Sequence, residues 1–186
     1  MVKLNKIYTR TGDSGSAGLV DGSRVSKSAP RMTAIGEVDE ANAAIGLAIA
    51  NLNGGELGLR LLAIQNDLFD LGADVATPGN VDGALRIVAS QVARLEIEID
   101  EMNAELEPLT SFILPGGSKA VAALHLARAT VRRAERAAVA LNEIEPLNPH
   151  LLAYVNRLSD HLFVAARFVA KDGGGDVLWH PGATRD

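Results

Sequence analysis

Four charged side chains lie along one edge of a predicted helix in the second half of the chain. At offsets of 0, 4, 7 and 8 residues stand Arg128, Arg132, Glu135 and Arg136. With about 100° of rotation per residue, these offsets share one side of a helix. Arginines four residues apart repel each other, so three on one edge favour binding of a triphosphate. The alternative is a solvated helix face with local pairs such as Arg132 with Glu135.

A second polar stripe lies on the predicted helix that follows. At offsets of 0, 4, 7 and 11 residues stand Asn156, Asp160, Phe163 and Arg167. Asp39, on the first predicted helix, has the same kind of position beside Ile35 and Val38. Each of these polar edges borders an apolar face that has to pack in a core. Three helices therefore present polar groups at the rim of the core.

The start of the chain contains a dense run of small and hydroxyl-bearing residues. The run consists of Thr9, Arg10, Thr11, Gly12, Asp13, Ser14, Gly15 and Ser16. Such a segment can present several backbone N–H groups to an anion. It is not a Walker A loop, because G-x-x-x-x-G-K-[ST] does not occur in the sequence. We interpret the run as a phosphate-binding nest; a flexible tail is the alternative.

Five helices are predicted to hold these residues in place. Apolar side chains recur at helical spacing over residues 30–52, 56–76, 90–105, 119–141 and 149–171. Gly54 and Gly55 end the first helix, while Ser118 and Asn148 are the predicted N-cap residues of the last two. Short connections favour an antiparallel arrangement of neighbouring helices. The sequence therefore predicts an all-α, five-helix antiparallel bundle.

The rest of the chain is predicted around that bundle. In the second helix, the predicted inward residues are Leu61, Leu62, Leu68 and Leu71. Residues 2–29 lack sustained periodicity and are predicted to be irregular. We expect one domain over residues 1–186, made of an N-terminal segment (1–29), the helical bundle (30–171) and a tail (172–186).

Composition excludes several classes of protein. The chain has 18 basic and 23 acidic residues, a net charge of −5, which gives no electrostatic footprint for nucleic acid or an anionic membrane. The absence of cysteine excludes disulfides, thiolate zinc sites and cysteine nucleophiles. No apolar stretch approaches the roughly 18 residues of a membrane helix. We therefore expect a soluble, cytoplasmic protein.

Two other kinds of helical bundle are alternatives to one that binds a triphosphate. A di-iron bundle would need Glu-x-x-His pairs on two helices, and the sequence has none. The four scattered histidines are interpreted as surface or structural residues: His125, His150, His161 and His180. A purely structural bundle is the remaining alternative.

Five blocks of sequence resemble the PduO-type corrinoid adenosyltransferases, in the order found in that family. The first is KIYTRTGDSG at residues 6–15, similar to the family's ATP-binding signature. Next come RVSK at 24–27 with PR at 30–31 and GEVDE at 36–40. The later blocks are SFILPGG at 111–117, ARATVRRAER at 127–136, and NRLSD at 156–160 with Phe163. The resemblance spans residues 6 to about 182, nearly the whole chain.

The resemblance implies a ferritin-like five-helix subunit that assembles as a homotrimer with active sites between subunits. The implied reaction moves the 5′-deoxyadenosyl group of ATP to cob(I)alamin, forming adenosylcobalamin and releasing triphosphate. The implied cofactors and substrates are ATP, Mg²⁺ and cobalamin, with Mg²⁺ held by phosphate oxygens rather than by a protein site. A flavin-dependent reductase and an adenosylcobalamin-dependent mutase are implied partners. A non-catalytic cobalamin carrier or ATP sensor on the same scaffold is the alternative.

The resemblance also assigns roles to particular residues. It implies that ATP is bound by residues 9–16, and by a further set consisting of Lys27, Arg132, Glu135, Arg136 and Asn156. Asp39 and Arg128 resemble an ion pair that the family forms between subunits beside the corrin. Asp160 and Phe163 lie on the same face and are also implied to bind cobalamin. Phe112 is implied to sit beneath the corrin and displace its lower axial ligand, whereas core packing is the alternative for this side chain.

Two departures from the family pattern affect the expected ATP site. Ala17 stands where the family commonly has a threonine, so Ser16 is the candidate to supply the missing hydroxyl. The loop over residues 77–87 lacks the lysine that some members direct at the phosphates, which leaves Arg86 as its only basic residue. Both departures concern ATP affinity.

Overall fold

Five α-helices make up most of the protein in the computed structural model, which describes residues 7–185. The helices are α1 (Pro30–Asn51), α2 (Glu56–Val75), α3 (Ala89–Asn103), α4 (Lys119–Asn142) and α5 (Pro149–Lys171). Every boundary lies within two residues of the predicted one. The predicted five-helix, all-α class is therefore confirmed.

Local capping interactions explain why the helix boundaries were predictable. The Ser118 side chain accepts a hydrogen bond from the Val121 N–H, and the Asn148 side chain accepts one from the His150 N–H. Gly54 and Gly55 both have positive φ angles, 79° and 90°, which turn the chain between α1 and α2. Each signal acts within a few residues, so the sequence alone contains it.

Helix α4 lies at the centre of the packing. It packs against α1 on one side and α5 on the other, while α2 adds to α1 and α3 adds to α5. Alanine occupies many of the buried positions of α1 and α4, so that their backbones approach closely. No helix in residues 7–185 is long and apolar enough to cross a membrane.

One predicted core residue of α2 is wrong. Leu61, Leu68 and Leu71 are buried as predicted, but Leu62 is 51% exposed. It lies one residue after Leu61, so its side chain is rotated by about 100° away from the core. Phe69 shares this exposed side at 73% exposure, and an apolar residue type alone therefore does not decide burial.

The N-terminal segment is more ordered than predicted. Strands β1 (Ser16–Gly18) and β2 (Arg24–Ser26) form an antiparallel hairpin in which Ala17 pairs with Val25. The Val20 N–H donates to the Ala76 carbonyl, which ties the hairpin to the end of α2. Three-residue strands are too short to produce a periodic pattern, and the prediction of an entirely irregular segment missed them. Lys6, the first residue of the signature, lies outside the described residues.

A buried carboxylate organises the end of the bundle near this hairpin. Asp74, on the last turn of α2, is 1% exposed. It accepts hydrogen bonds from Arg86 at 2.6 Å, from the Ile87 N–H at 2.9 Å and from Asn148 at 2.8 Å. The same aspartate therefore joins α2, the following loop and the N-cap of α5.

Arg86 is consequently not available as a phosphate ligand. Besides Asp74, its guanidinium donates to the carbonyls of Thr77 at 2.9 Å and Gly79 at 2.6 Å. These contacts use the fork of donors that a phosphate would need. Arg86, the only basic residue of the 77–87 loop, therefore has a structural role in the described chain.

We predict that Asp74→Ala destabilises the fold strongly. The change removes three hydrogen bonds and leaves the Arg86 guanidinium without its counter-charge, which should cost about 3 to 5 kcal/mol. Urea unfolding measures the loss. Asp70→Ala is the matched control, because Asp70 lies one turn earlier on α2 and its side chain forms no hydrogen bond or ion pair within residues 7–185. Similar midpoints for the two variants would contradict the organising role of Asp74.

Candidate functional site

Three of the predicted cobalamin-binding residues line one open cavity of about 510 Å³. It lies between the loop preceding α4 and the facing sides of α4 and α5. Phe112 comes from the loop, Arg128 from α4 and Phe163 from α5. The other lining residues are Leu109, Thr110, Ser111, Ile113 and His125. The cavity therefore combines aromatic walls with a cation.

Phe112 is not a core residue. Its side chain is 77% exposed, so the core-packing alternative is wrong. The ring makes an edge-to-face contact with Trp179, with ring centres 6.0 Å apart. An exposed phenylalanine at the mouth of a cavity is available to contact a flat apolar ligand.

Arg128 and His125 bring unpaired polar atoms to this cavity. The Nε of Arg128 and both ring nitrogens of His125 are buried without a hydrogen-bond partner in residues 7–185. Burial, followed by repulsion from Arg132, lowers the pKa of Arg128. Burial, followed by repulsion from Arg128, lowers the pKa of His125, whose place in this cavity the sequence analysis missed. Buried polar atoms without partners are rare in native proteins, and they indicate a missing ligand or neighbour.

The three arginines of the α4 stripe differ in ion pairing from every other arginine on a helix of the described chain. Six helical arginines form ion pairs: Arg31, Arg60, Arg94, Arg133, Arg157 and Arg167. Arg128, Arg132 and Arg136 form none. The proposed local pair of Arg132 with Glu135 is absent among the described residues, because Glu135 accepts a hydrogen bond from Asn156 at 2.8 Å. The stripe therefore keeps uncompensated positive charge.

The predicted phosphate nest is an organised loop held by Arg24. One guanidinium nitrogen of Arg24 donates to the Thr11 carbonyl at 2.7 Å and to the Ser16 hydroxyl at 2.8 Å. The Lys27 N–H donates to the Gly15 carbonyl at 2.8 Å, which closes the loop against β2. The sequence analysis included Arg24 in a family block but missed this function. Ser16 already binds Arg24, so a role as substitute hydroxyl would have to share that contact.

Gly12 makes room for a basic side chain over the nest. A Cβ at this position would lie 3.1 Å from Nζ of Lys27 and 3.4 Å from its Cε. Gly15 has a φ of 81°, a conformation that favours glycine. The remaining members of the run are exposed: Thr9, Arg10, Thr11, Asp13 and Ser14. Backbone and hydroxyl groups of this loop, together with Lys27, are thus accessible to an anion.

The candidate residues do not form one site within a single chain. Asp39 lines a different cavity, of about 360 Å³, on the α1–α2 side together with Phe69. Asp160 is exposed and accepts a hydrogen bond from Arg157 at 2.9 Å. In the described chain, no hydrogen bond or ion pair joins the nest to the α4 stripe. The nest, the α4 stripe and the Asp39 cavity are therefore separate surfaces of the described chain.

Comparison with known proteins identifies relatives along almost the whole chain. Residues 7–169 match the family model described as cobalamin adenosyltransferase. A cobalamin adenosyltransferase from Cupriavidus metallidurans is 50% identical over 179 residues, covering 95% of each chain. A corrinoid adenosyltransferase from Bacillus subtilis is 45% identical over 183 residues, covering 96% of this chain and 94% of the relative.

A solved structure agrees with these relatives. A phenylalanine-to-alanine variant of a PduO-type ATP:corrinoid adenosyltransferase from Lactobacillus reuteri, complexed with cobalamin and ATP, superimposes with a TM-score of 0.88. That protein is 36% identical to this one, and the match covers 94% of this chain and 99% of the other. Sequence and fold lead to the same conclusion: the chain belongs to the cobalamin adenosyltransferase family.

Proposed function

We propose that this protein transfers the 5′-deoxyadenosyl group of ATP to cob(I)alamin, forming adenosylcobalamin and releasing triphosphate. The observation that carries the proposal is the α4 edge. There, Arg128, Arg132 and Arg136 have no acidic partner in residues 7–185, and Arg128 also lines the aromatic cavity at Phe112. A polyanion and a large flat ligand would bind next to each other on this helix. ATP and a corrinoid have these properties, and both are bound in the Lactobacillus reuteri relative.

The proposed chemistry needs positioning and charge stabilisation, not a protein nucleophile. The reduced cobalt attacks C5′ of ATP, the C5′–O bond breaks, and the electron pair leaves with the triphosphate. The protein therefore has to hold two substrates in line and stabilise negative charge on the leaving group. We assign that second task to Arg132, with Arg136 and Lys27 as further cations. The hydrogen-bonded pair of Glu135 and Asn156 is assigned to the nucleotide.

Mg²⁺ is proposed to act through the phosphates. Within residues 7–185, no group of three His, Asp or Glu side chains is placed to hold a metal. Mg²⁺ commonly keeps several waters and binds substrate phosphates with few protein ligands, so the exposed nest and arginines fit an ion that arrives with ATP. When bound, the ion would neutralise part of the triphosphate charge.

The active site is proposed to form between subunits of a homotrimer. Arg128 has a buried nitrogen without a partner, and Asp39 is exposed on another surface of the chain. An ion pair between Arg128 and Asp39 of a neighbouring subunit would give the buried Arg128 nitrogen a partner and would cover the exposed Asp39. The same association would bring the nest, including residues 9–16 and Lys27, towards the α4 stripe. Asp160 and Phe163 would border the corrin.

The chain as a whole is proposed to act as one adenosyltransferase domain. Residues 1–29 bind ATP, residues 30–171 form the bundle, and residues 172–186 form a tail. A flavin-dependent reductase that supplies the electron and an adenosylcobalamin-dependent mutase that uses the product are proposed partners in the cytoplasm.

We predict turnover by the wild-type protein and a selective defect in Arg132→Ala. When the wild type is mixed anaerobically with ATP, Mg²⁺ and chemically reduced cob(I)alamin, the absorption spectrum should change to that of adenosylcobalamin and triphosphate should be released. Arg132→Ala should lose about 2 to 4 kcal/mol of transition-state stabilisation, or roughly 30- to 1000-fold in rate, because one charge-assisted contact to the leaving group is gone.

Arg133→Ala is the control for Arg132→Ala. Arg133 is the next residue on α4, but it points to α1 and pairs with Glu37 and Glu40. Arg133→Ala should lower the melting temperature, while the rate per folded enzyme stays near that of the wild type. Equal rates for both variants would remove the proposed phosphate edge. Binding without triphosphate release by the wild type would instead favour a cobalamin carrier.

We predict that two inactive variants restore each other's activity when mixed. Asp39→Ala and Arg128→Ala each break every intersubunit pair in a homotrimer. In a random 1:1 mixture, each mixed trimer would have one interface that combines an intact Arg128 with an intact Asp39, which is about a quarter of all interfaces in the mixture. Refolding the two variants together and measuring adenosyl transfer tests this. A fully active monomer by light scattering, or no recovery in mixed trimers, would contradict the shared site.

We predict that Phe112→Ala loses much more adenosyl-transfer activity in one assay than in another. The ring is proposed to displace the lower axial ligand of cob(II)alamin, which lowers the energy of the orbital that accepts the incoming electron. The variant should therefore fail mainly when cob(II)alamin is supplied with a mild reductant. It should retain much more activity with cob(I)alamin already reduced by a strong agent. Equal losses in a folded, trimeric variant would show that Phe112 serves substrate binding instead.

A further inference from the structure

The chain beyond α5 pairs with the loop that carries Phe112. The Trp179 N–H donates to the Phe112 carbonyl at 2.7 Å, and the Leu114 N–H donates to the Val177 carbonyl at 2.8 Å. Ile113 and Leu178 form an antiparallel bridge between these bonds. The Ser111 hydroxyl adds a bond to the Trp179 carbonyl at 2.9 Å. The tail thus forms a short two-stranded ladder with the wall of the aromatic cavity.

Arg167 holds both sides of this ladder from α5. Its Nε donates to Asp176 at 2.9 Å, at the start of the tail, and its Nη2 donates to the Glu107 carbonyl at 2.8 Å, at the start of the loop. The residue is only 8% exposed. A buried cation that joins two irregular segments to a helix fixes the distance between them. Arg167 has no part in the adenosyl transfer proposed above.

The bundle itself does little to hold the Phe112 side chain. The ring is 77% exposed, and its one aromatic contact within residues 7–185 is with Trp179. Trp179 belongs to the tail, and the tail returns to the bundle through Asp176 and Arg167. Phe112 is therefore held mainly by the tail, and Arg167 is a side chain that ties the start of the tail to the bundle.

We propose that Arg167 is a positioning residue for Phe112, which it acts on through the tail and the ring of Trp179. The arginine fork donates to the carboxylate and to the carbonyl from two different nitrogens, whereas a lysine ammonium would donate from a single nitrogen. The inference rests on the proposed function, because it assumes that Phe112 contacts the corrinoid.

The first experiment needs no corrinoid, since Trp179 is the only tryptophan of the chain and its fluorescence reports the tail directly. In Arg167→Gln, we expect a red-shifted emission and stronger acrylamide quenching, as the released ring becomes more exposed. Arg60→Gln is the matched control, because Arg60 also bridges two segments, through Glu56 and Glu101, but has no contact with the tail. Unchanged emission and quenching in Arg167→Gln would overturn the proposal.

The second experiment measures adenosyl transfer by the same variants. Arg167→Gln should lose about tenfold or more with cob(II)alamin and a mild reductant, but stay within about twofold of the wild type with cob(I)alamin. Adding Arg167→Gln to Phe112→Ala should cause no further loss in the first assay, because Arg167 is proposed to act only through Phe112. An additive loss, or equal losses in the two assays, would overturn the positioning role.

A milder variant covers the case in which Arg167→Gln does not fold. Asp176→Asn keeps Arg167 bound to Glu107 and weakens only the link to the tail. It should show a smaller fluorescence change of the same kind, and a smaller loss of activity with cob(II)alamin than Arg167→Gln shows, again without a matching loss with cob(I)alamin. If the wild type transfers no adenosyl group, the proposed function fails while the fluorescence result stands. If the wild type is active and Asp176→Asn behaves like it in every measurement, the proposed tail link fails.

Discussion

The unpaired charge along α4 is the constraint on which the rest of the site depends. In the described chain, Arg128, Arg132 and Arg136 lack acidic partners, whereas the other helical arginines form ion pairs. Neighbouring guanidiniums repel each other, and burial of Arg128 adds a desolvation cost that lowers its pKa. Because Arg132 and Arg136 are exposed, this edge can take up negative charge from outside the chain. The proposed triphosphate and the Asp39 of a neighbouring subunit are the two sources.

The bundle supplies a stiff base for that edge. Alanine-rich faces bring α1 and α4 together, and Arg133 ties α4 to Glu37 and Glu40 on α1. Arg132 and Arg133 are adjacent in sequence, yet one is free of ion pairs within residues 7–185 and the other has two. A rotation of about 100° per residue is enough to separate a structural arginine from a binding one.

Irregular segments at opposite ends of the bundle complete the two proposed substrate sites. At one end, Arg24 shapes the glycine-rich loop, while Asp74 fixes the connection from α2 to α5. At the other end, Arg167 joins the loop before α4 to the tail. In each case a charged side chain holds backbone that has no helix or sheet of its own, which is how loops become precise enough to bind ligands.

The sequence by itself determined the helices and most of the candidate residues. Caps such as Ser118 and Asn148 act over three or four residues, and helical periodicity repeats over a similar distance, so both can be read without a fold. It failed where partners lie far apart in the chain. The sequence did not reveal the ring contact of Phe112 with Trp179, the tail ladder at Trp179 or the bond from Arg167 to Glu107. Each of these contacts joins residues about 60 or more positions apart. Only the tertiary structure decided these, because packing brings such groups together and no local pattern encodes it.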